Sequence, residues 1–433
     1  MIERDIQGQF SYERKSFLSN MQLTKTDFIQ YLHCPKSLWL LKHDPGNYPQ
    51  GEFSTFMQKL VREGYEVERY VQQFFDSAGD RNVSFQAEFR TDDGLYARVD
   101  ALENMGDGTT ALYEIKSSTS VKTDAKHNHI KDACFQKICA ERAGQRIDRV
   151  FLVHLNGEYV RNGDIDPGAM LAFADITEAV EKIESETNAE VDAALAFLAS
   201  DQDMSGCSCV EKTRANHCDA FGIFNPEVPT PSIYSLPRLR ANKIGDLRSM
   251  NVLGLDDVPD DFPLSKNQRI VVGSFQEGEP KVSAQTIRQF LSELIFPLYF
   301  FDYETFSSAV PLLDGTSPHK HFPVQYSLHI LDADGSLQHK EYLERQARLP
   351  DRLIERMQED FGPTGSVVSW HASFEKARNR EMAERYPGNA EFLNSLNDRM
   401  VDLEDVFKTD YVDAQFDGST SIKKVLPVVC PHL

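Results

Sequence analysis

The sequence predicts an α/β fold in more than one domain, and three observations carry that reading. The chain has 433 residues, too many for one ordinary core. By apolar period and turn residues, its first half runs helix, three strands, helix, strand. A second alternating region opens at about residue 294 with the apolar run LIFPLYFFDYETF.

Bulk properties narrow the class. Hydrophobic content of 41% and charged content of 26% describe a globular chain, and no apolar run approaches the length of a membrane span. The start, MIERDIQGQF, has no apolar signal segment, so the expected location is cytoplasmic. A formal charge of -21 argues against coating nucleic acid by bulk electrostatics but permits a local basic groove. Seven cysteines at uneven spacing do not predict a disulfide framework in a cytosolic chain. No Gly-rich phosphate loop ending in Lys-Ser or Lys-Thr gives a signal for ATP.

The elements follow in order. Residues 1–20 are polar and patternless, an expected mobile arm. LTKTDFIQYLHCPKSLWLLKH reads as one amphipathic helix through Phe28, Tyr31, Leu32 and Leu38 to Leu41. A second helix at 54–77 is expected to bury Phe56, Leu60, Tyr65, Val67, Val71 and Phe74. Three strands are predicted at 83–90, 94–102 and 110–117, because Asp92-Asp93-Gly94 and Gly106-Asp107-Gly108 mark hairpin turns. A helix at 127–144, a strand at 148–157 and a long helix at 176–200 complete this domain, assigned to residues 21–221. Prolines at 222–236 mark a linker, and short helical segments fill 237–293. The last domain is assigned to 294–433.

Charged residues inside the predicted strands point to chemistry. Glu114 and Lys116 are two apart on one strand and leave the same face. A short hairpin can bring Asp100 beside Glu114. Adjacent carboxylates repel unless a cation neutralises them, and Mg2+ or Mn2+ prefers such oxygen ligands. A metal-activated water could then attack a phosphodiester while Lys116 orients it. The plain alternative is a solvated strand face with a Glu-Lys pair.

Asp100 followed by Glu114-Ile115-Lys116 resembles the PD-(D/E)XK nuclease family, in its RecB-like branch. The resemblance implies a restriction-endonuclease-like fold cutting DNA. It implies a further acid on the leading helix, matched in GYEVE by Glu68 with Glu66 as the weaker match, where histidine is commoner. It also implies a glutamine on the following helix, matched by Gln136, which would position the strand.

Cys34 precedes this core, and Cys207, Cys209 and Cys218 follow it in CSCVEKTRANHC. Four thiolates could close a tetrahedral metal or cluster site. Zinc, with His217 beside Cys218, and simple buried cysteines are the alternatives. One upstream and three downstream cysteines resemble the iron-sulfur exonucleases of the RecB branch, which implies a 4Fe-4S cluster. Cys134 and Cys139 read as helix core, and Cys430 has no evident partner. Residues 237–260 loosely resemble a helix-hairpin-helix, with Arg238, Arg240, Lys243 and Arg248 supplying charge, against a plain helical connector.

Asp302 and Glu304 share one face of the strand LYFFDYETF, as a metal pair or a solvated strand end. With SWHASFEKARNREMAERYP at 369–387, they resemble the DEDD exonucleases of the ribonuclease-H-like fold, where Glu375 after Phe374 matches a position that is usually Asp. The resemblance places a fourth carboxylate on a late helix. Asp402 and Asp405 come too early for it, so this second domain is expected to be incomplete and C-terminally truncated. The whole combination, with STSIKKVLP at 419–427, resembles a bacterial family known only as a domain of unknown function, over about residues 21–433. The implied activity is a metal-dependent DNA nuclease, expected to act on single strands or ends; the other class is a DNA-binding scaffold with degenerate nuclease folds.

Overall fold

A computed structural model describes residues 22–49, 51, 54–77, 79, 81–124 and 127–432. The polar arm assigned to residues 1–20 lies outside the described residues. Two units emerge: one of Met1–Cys207, Cys218–Phe224 and Ser308–Lys320, the other of Ser208–His217, Asn225–Ser307 and His321–Leu433.

The first unit begins with β1 (Leu23–Thr24), α1 (Lys25–His33) and α2 (Pro35–His43). The single helix expected here is two. Pro35 disfavours helical geometry at the residue before it, so Cys34 is extended at φ -155, ψ 100, and Pro35 opens α2. Thr24 and Asp27 form a capping box that starts α1.

Next come α3 (Thr55–Ser77), β2 (Asn82–Arg90), β3 (Leu95–Asn104) and β4 (Thr110–Ile115). They are followed by α4 (His129–Arg142), β5 (Arg149–Leu155), β6 (Leu171–Asp175) and α5 (Thr177–Ala199). The inner face of α3 is Glu63, Val67, Val71 and Phe75; the predicted core residues Phe56, Leu60 and Tyr65 are exposed. Neither β1 nor β6 was expected, because two and five residues are too short to show a period.

These strands form one six-stranded mixed sheet. One edge of β3 pairs antiparallel with β2. Its other edge is shared: β1 runs parallel to it at Leu95–Tyr96, and β4 antiparallel from Ala101 to Asn104. β5 runs parallel to β4, and β6 antiparallel to β5. Phe28 of α1 stacks on Phe135 of α4 at 5.2 Å in a core that α5 completes. Val67, Val71 and Phe75 of α3 pack with Ala101, Ala111 and Tyr113, joined by Ala309 and Val310 from the 308–320 segment.

In the second unit, α6 (Ala241–Ser249), α7 (Lys266–Glu277) and α8 (Ala284–Ser292) precede β7 (Leu298–Phe306). Then follow β8 (Phe322–Leu331), β9 (Leu337–Leu343), α9 (Asp351–Asp360), β10 (Val367–Ser369), α10 (Ser373–Arg385), α11 (Ala390–Asp398), β11 (Met400–Asp402), α12 (Glu404–Thr409) and α13 (Ile422–Val429). The five-stranded sheet has the order β9-β8-β7-β10-β11. Its first three strands are antiparallel; β10 is parallel to β7, and β11 to β10. Tyr299, Phe301 and Tyr303 alternate into a core with Ile354, Met357 and Leu393. Their neighbours Phe300, Asp302 and Glu304 take the exposed face. Among the described residues, no helix is long and apolar enough to cross a membrane.

Candidate acid site and four-thiol cluster

Asp100 lies where the regular ladder on both sides of β3 is interrupted. On one side β1 has ended and β4 begins only at the next residue. On the other, Gln86 adopts φ 55 and drops out of the β2 register opposite Asp100. The Asp100 carboxylate takes over part of the lost pairing: its Oδ2 accepts from the Ile115 N–H at 2.8 Å. That bond fixes Asp100 beside the strand segment carrying Glu114.

Glu114 is fully buried and surrounded by donors. Its Oε1 accepts from the Lys25 ammonium at 2.5 Å and lies 2.9 Å from Lys116 Nζ. Gln136 Nε2 donates to its Oε2. Lys116 also reaches Asp132 Oδ2 at 2.7 Å. Burial alone would raise the Glu114 carboxyl, but the ammonium groups of Lys25 and Lys116 outweigh it and hold Glu114 below the usual carboxylate range. Burial would lower Lys116; Glu114 and Asp132 outweigh that and hold it above its ordinary value. Asp100 goes the other way, pushed up to about 7 by burial and then by the Glu114 charge, with Lys25 opposing.

Glu68 of α3 accepts from Gln86 Nε2 at 3.2 Å. Its carboxyl is raised by burial, with Arg98 and Lys25 opposing and Glu114 assisting. It is therefore electrically part of the group. The weaker match Glu66 has an ion-pair contact with Arg69 on its own helix, at 3.9 Å. A groove of about 390 Å3 reaches Asp100 and Gln136 past Lys25 and Arg98.

Sequence reasoning missed Lys25, Arg98 and Asp132. Lys25 carried one signal, a cation in the first turn of a helix, where the dipole favours carboxylates. Arg98 carried another, because it is two residues before Asp100 on the same strand face.

Asp100 and Glu114 offer carboxylate oxygens of the kind a hard divalent cation prefers, with Glu68 electrically coupled to them. Both Glu114 oxygens are already engaged by Lys25, Lys116 and Gln136, and among the described residues the group of three or more ligand atoms within 4.8 Å of one another is the four cysteines, not these acids.

Burying Cys34 at the α1–α2 break brings it to the other cysteines. The sulfurs of Cys34, Cys207, Cys209 and Cys218 all lie within 4.8 Å of one another, and all four residues are buried. Among the described residues none of the seven cysteines is in a disulfide. Four clustered thiols suit soft metal chemistry, an iron-sulfur cluster or a zinc ion. His217 is outside the set; its Nε2 lies 3.3 Å from the Lys212 carbonyl. Cys134 and Cys139 are buried in α4, and burial raises both thiols, to about 11 and about 12.

A second acid group lies in the second unit. Asp302 and Glu304 share the exposed face of β7, and burial followed by the Glu304 charge raises Asp302. Glu375, in the first turn of α10, is buried with its Oε2 unpartnered among the described residues. Burial, then the charges of Asp302 and Asp402, push it to about 7. Asp402, set aside in the sequence as too early, thus acts on Glu375. Its Oδ1 accepts from the His371 and Glu404 N–H groups. Asp405 is exposed and pairs with Lys408 at 2.9 Å. The 237–260 segment forms the single helix α6 and an isolated bridge from Ser232 to Gly254.

Comparison with known proteins gives partial likenesses. A curated relative, the "Uncharacterized protein MG366 homolog" of Mycoplasma pneumoniae, is 32% identical over 146 residues, 30% of this chain. The chain spans 22% of that relative's length. Among solved structures, the alkaline exonuclease LHK-Exo of Laribacter hongkongensis aligns over 41% of this chain and 89% of its own, at 16% identity and TM-score 0.27. The structure of SSO0001 aligns over 42% and 87%, at 15% identity and TM-score 0.22. Residues 299–421 match a family described as a domain of unknown function, DUF2779.

Proposed function

We propose that the chain is a metal-dependent nuclease hydrolysing DNA phosphodiester bonds, in the manner of a PD-(D/E)XK exonuclease. The observation that carries this reading is the corner where Asp100 and Glu114 meet beside the Lys116 ammonium. Asp100 and Glu114 would hold Mg2+ or Mn2+, with Glu68 as the third acid. When bound, such an ion polarises the phosphodiester and makes water a better nucleophile at neutral pH. Lys116 orients the attacking water and offsets the charge that builds on the phosphoryl oxygens. Gln136 fixes the Glu114 carboxylate through its Oε2.

The four thiols hold a structural 4Fe-4S cluster in this reading, with a single zinc ion as the alternative. The second unit is read as a ribonuclease-H-like domain of the DEDD type, supported by its strand order and by Asp302, Glu304 and Glu375. The decisive assay incubates the protein with single- and double-stranded DNA and Mn2+. Cleavage is expected from the parent and absent in Glu114→Ala; equal cleavage by both removes this site.

One observation favours a second reading, a DNA-binding scaffold with degenerate nuclease folds. Glu114 is already met by two ammonium groups and an amide. Metal-independent DNA binding without cleavage under Mg2+ or Mn2+ is the outcome that selects it.

A further inference from the structure

A groove of about 990 Å3 in the second unit is built from the connector rather than from the acid group. It runs from the start of α6, past the start of α7, to α12 and the 416–420 loop. In a chain with 67 acidic and 46 basic residues, a basic groove is against the trend. Arg238, Arg240 and Lys266 line it, and among the described residues none of the three has an acidic partner. Elsewhere the arginines of this chain are commonly paired, as Arg214 is with Asp417 at 2.6 Å.

Arg238 is also held at φ 54, a left-handed conformation that side-chain-bearing residues rarely adopt. The two acids on the wall are already engaged. Glu404 accepts from the Thr420 hydroxyl and pairs with Lys408 at 2.9 Å, and Asp413 accepts from the Gln415 N–H at 2.8 Å. Arg240 caps α6 without a side-chain bond to its first turn, and the N-terminal end of a helix carries partial positive charge.

Three cations spread over two elements suit a ligand with repeated negative charges better than one small anion. Phe407 and Phe416 supply an apolar wall, with ring centroids 6.2 Å apart. At one end lies His371, whose N–H donates to Asp402 Oδ1 at 2.9 Å. The groove therefore adjoins the second acid group.

We infer that this groove binds the sugar-phosphate backbone of a single-stranded nucleic acid through Arg238, Arg240 and Lys266. The inference takes its ligand class from the nuclease reading but concerns a different surface, and it needs neither Asp100 nor Glu114.

Fluorescence anisotropy of the full chain with a labelled 20-residue oligodeoxythymidylate, and with oligouridylate, in buffer without divalent ions, tests it. The triple variant R238A/R240A/K266A is expected to bind about 10-fold or more weakly near 150 mM salt. Its plot of log affinity against log salt should be shallower by about 2, since each phosphate contact on a single strand contributes about 0.7. The charge-preserving variant R238K/R240K/K266R should recover most of the affinity. Unchanged affinity and slope in the alanine variant, failure of the charge-preserving variant to recover, or no binding of either oligonucleotide by the parent would each overturn the inference. The nuclease reading is scored separately, by Mn2+-dependent cleavage in parent and Glu114→Ala. Loss of either result leaves the other standing.

Discussion

The Lys25 ammonium lies 2.5 Å from Glu114 Oε1, joining positions 89 residues apart at the base of the acid corner. Glu114 is fully buried, so each counter-charge matters to folding as well as to chemistry. Lys25→Met, which keeps an apolar stem, is expected to destabilise the protein by about 1–3 kcal/mol in urea unfolding. The remaining contact with Lys116 prevents a larger loss. Cleavage should separate the two lysines: Lys116→Met is expected to lower the rate by about 100-fold or more, and Lys25→Met by less.

The raised carboxyls set a pH dependence. Asp100 and Glu375 each titrate near 7 in the fold against an ordinary value near 4, so the folded state binds more protons than the unfolded chain across that interval. Their contribution to stability is therefore present at low pH and is lost as pH rises through about 7. Metal-free protein should melt at a higher temperature at pH 6.5 than at pH 8. The window stops at 6.5 because His129, lowered to about 4 by burial and Lys116, opposes the trend below its ordinary value. Asp100→Asn should flatten this rise, and added Mn2+ should raise the melting temperature more at pH 8 than at pH 6.5. A rise unchanged from the parent in both Asp100→Asn and Glu375→Gln would contradict the assignment.

The thiol cluster predicts a metal content. Protein purified without oxygen is expected to hold close to four iron atoms and four inorganic sulfides per chain, with one zinc per chain as the result that selects the alternative. Cys34→Ser should lower the melting temperature by roughly 10 °C or more, because a closed metal site stabilises only the folded state. Elemental analysis and a thermal melt of the same sample read both outcomes.

Much of this arrangement was legible because the relevant signals are local. The turn at Gly106-Asp107-Gly108 forced β3 and β4 into a hairpin, and that hairpin brought Asp100 to Glu114. What stayed hidden was long-range or short. Two residues of β1 carry no period, yet β1 sets the start of α1 and with it Lys25. The apolar face expected for α3 failed because Phe56, Leu60 and Tyr65 have the right residue type but are exposed, with no core cluster among the described residues taking them up. The electrical link from Asp402 to Glu375 depends on β11 lying beside β10, a parallel pairing across a crossover that no local pattern announces.

The proline-enforced break after α1 has a mechanical meaning. Nine helical residues, about 14 Å of rigid rod, carry Lys25 at one end and hand over to Cys34 at the other. Anchoring the thiol therefore clamps the far tip of a lever whose opposite tip neutralises Glu114. Losing the sulfur ligands would free the Cys34 end of this helix, whose other end carries the Lys25 ammonium that meets Glu114.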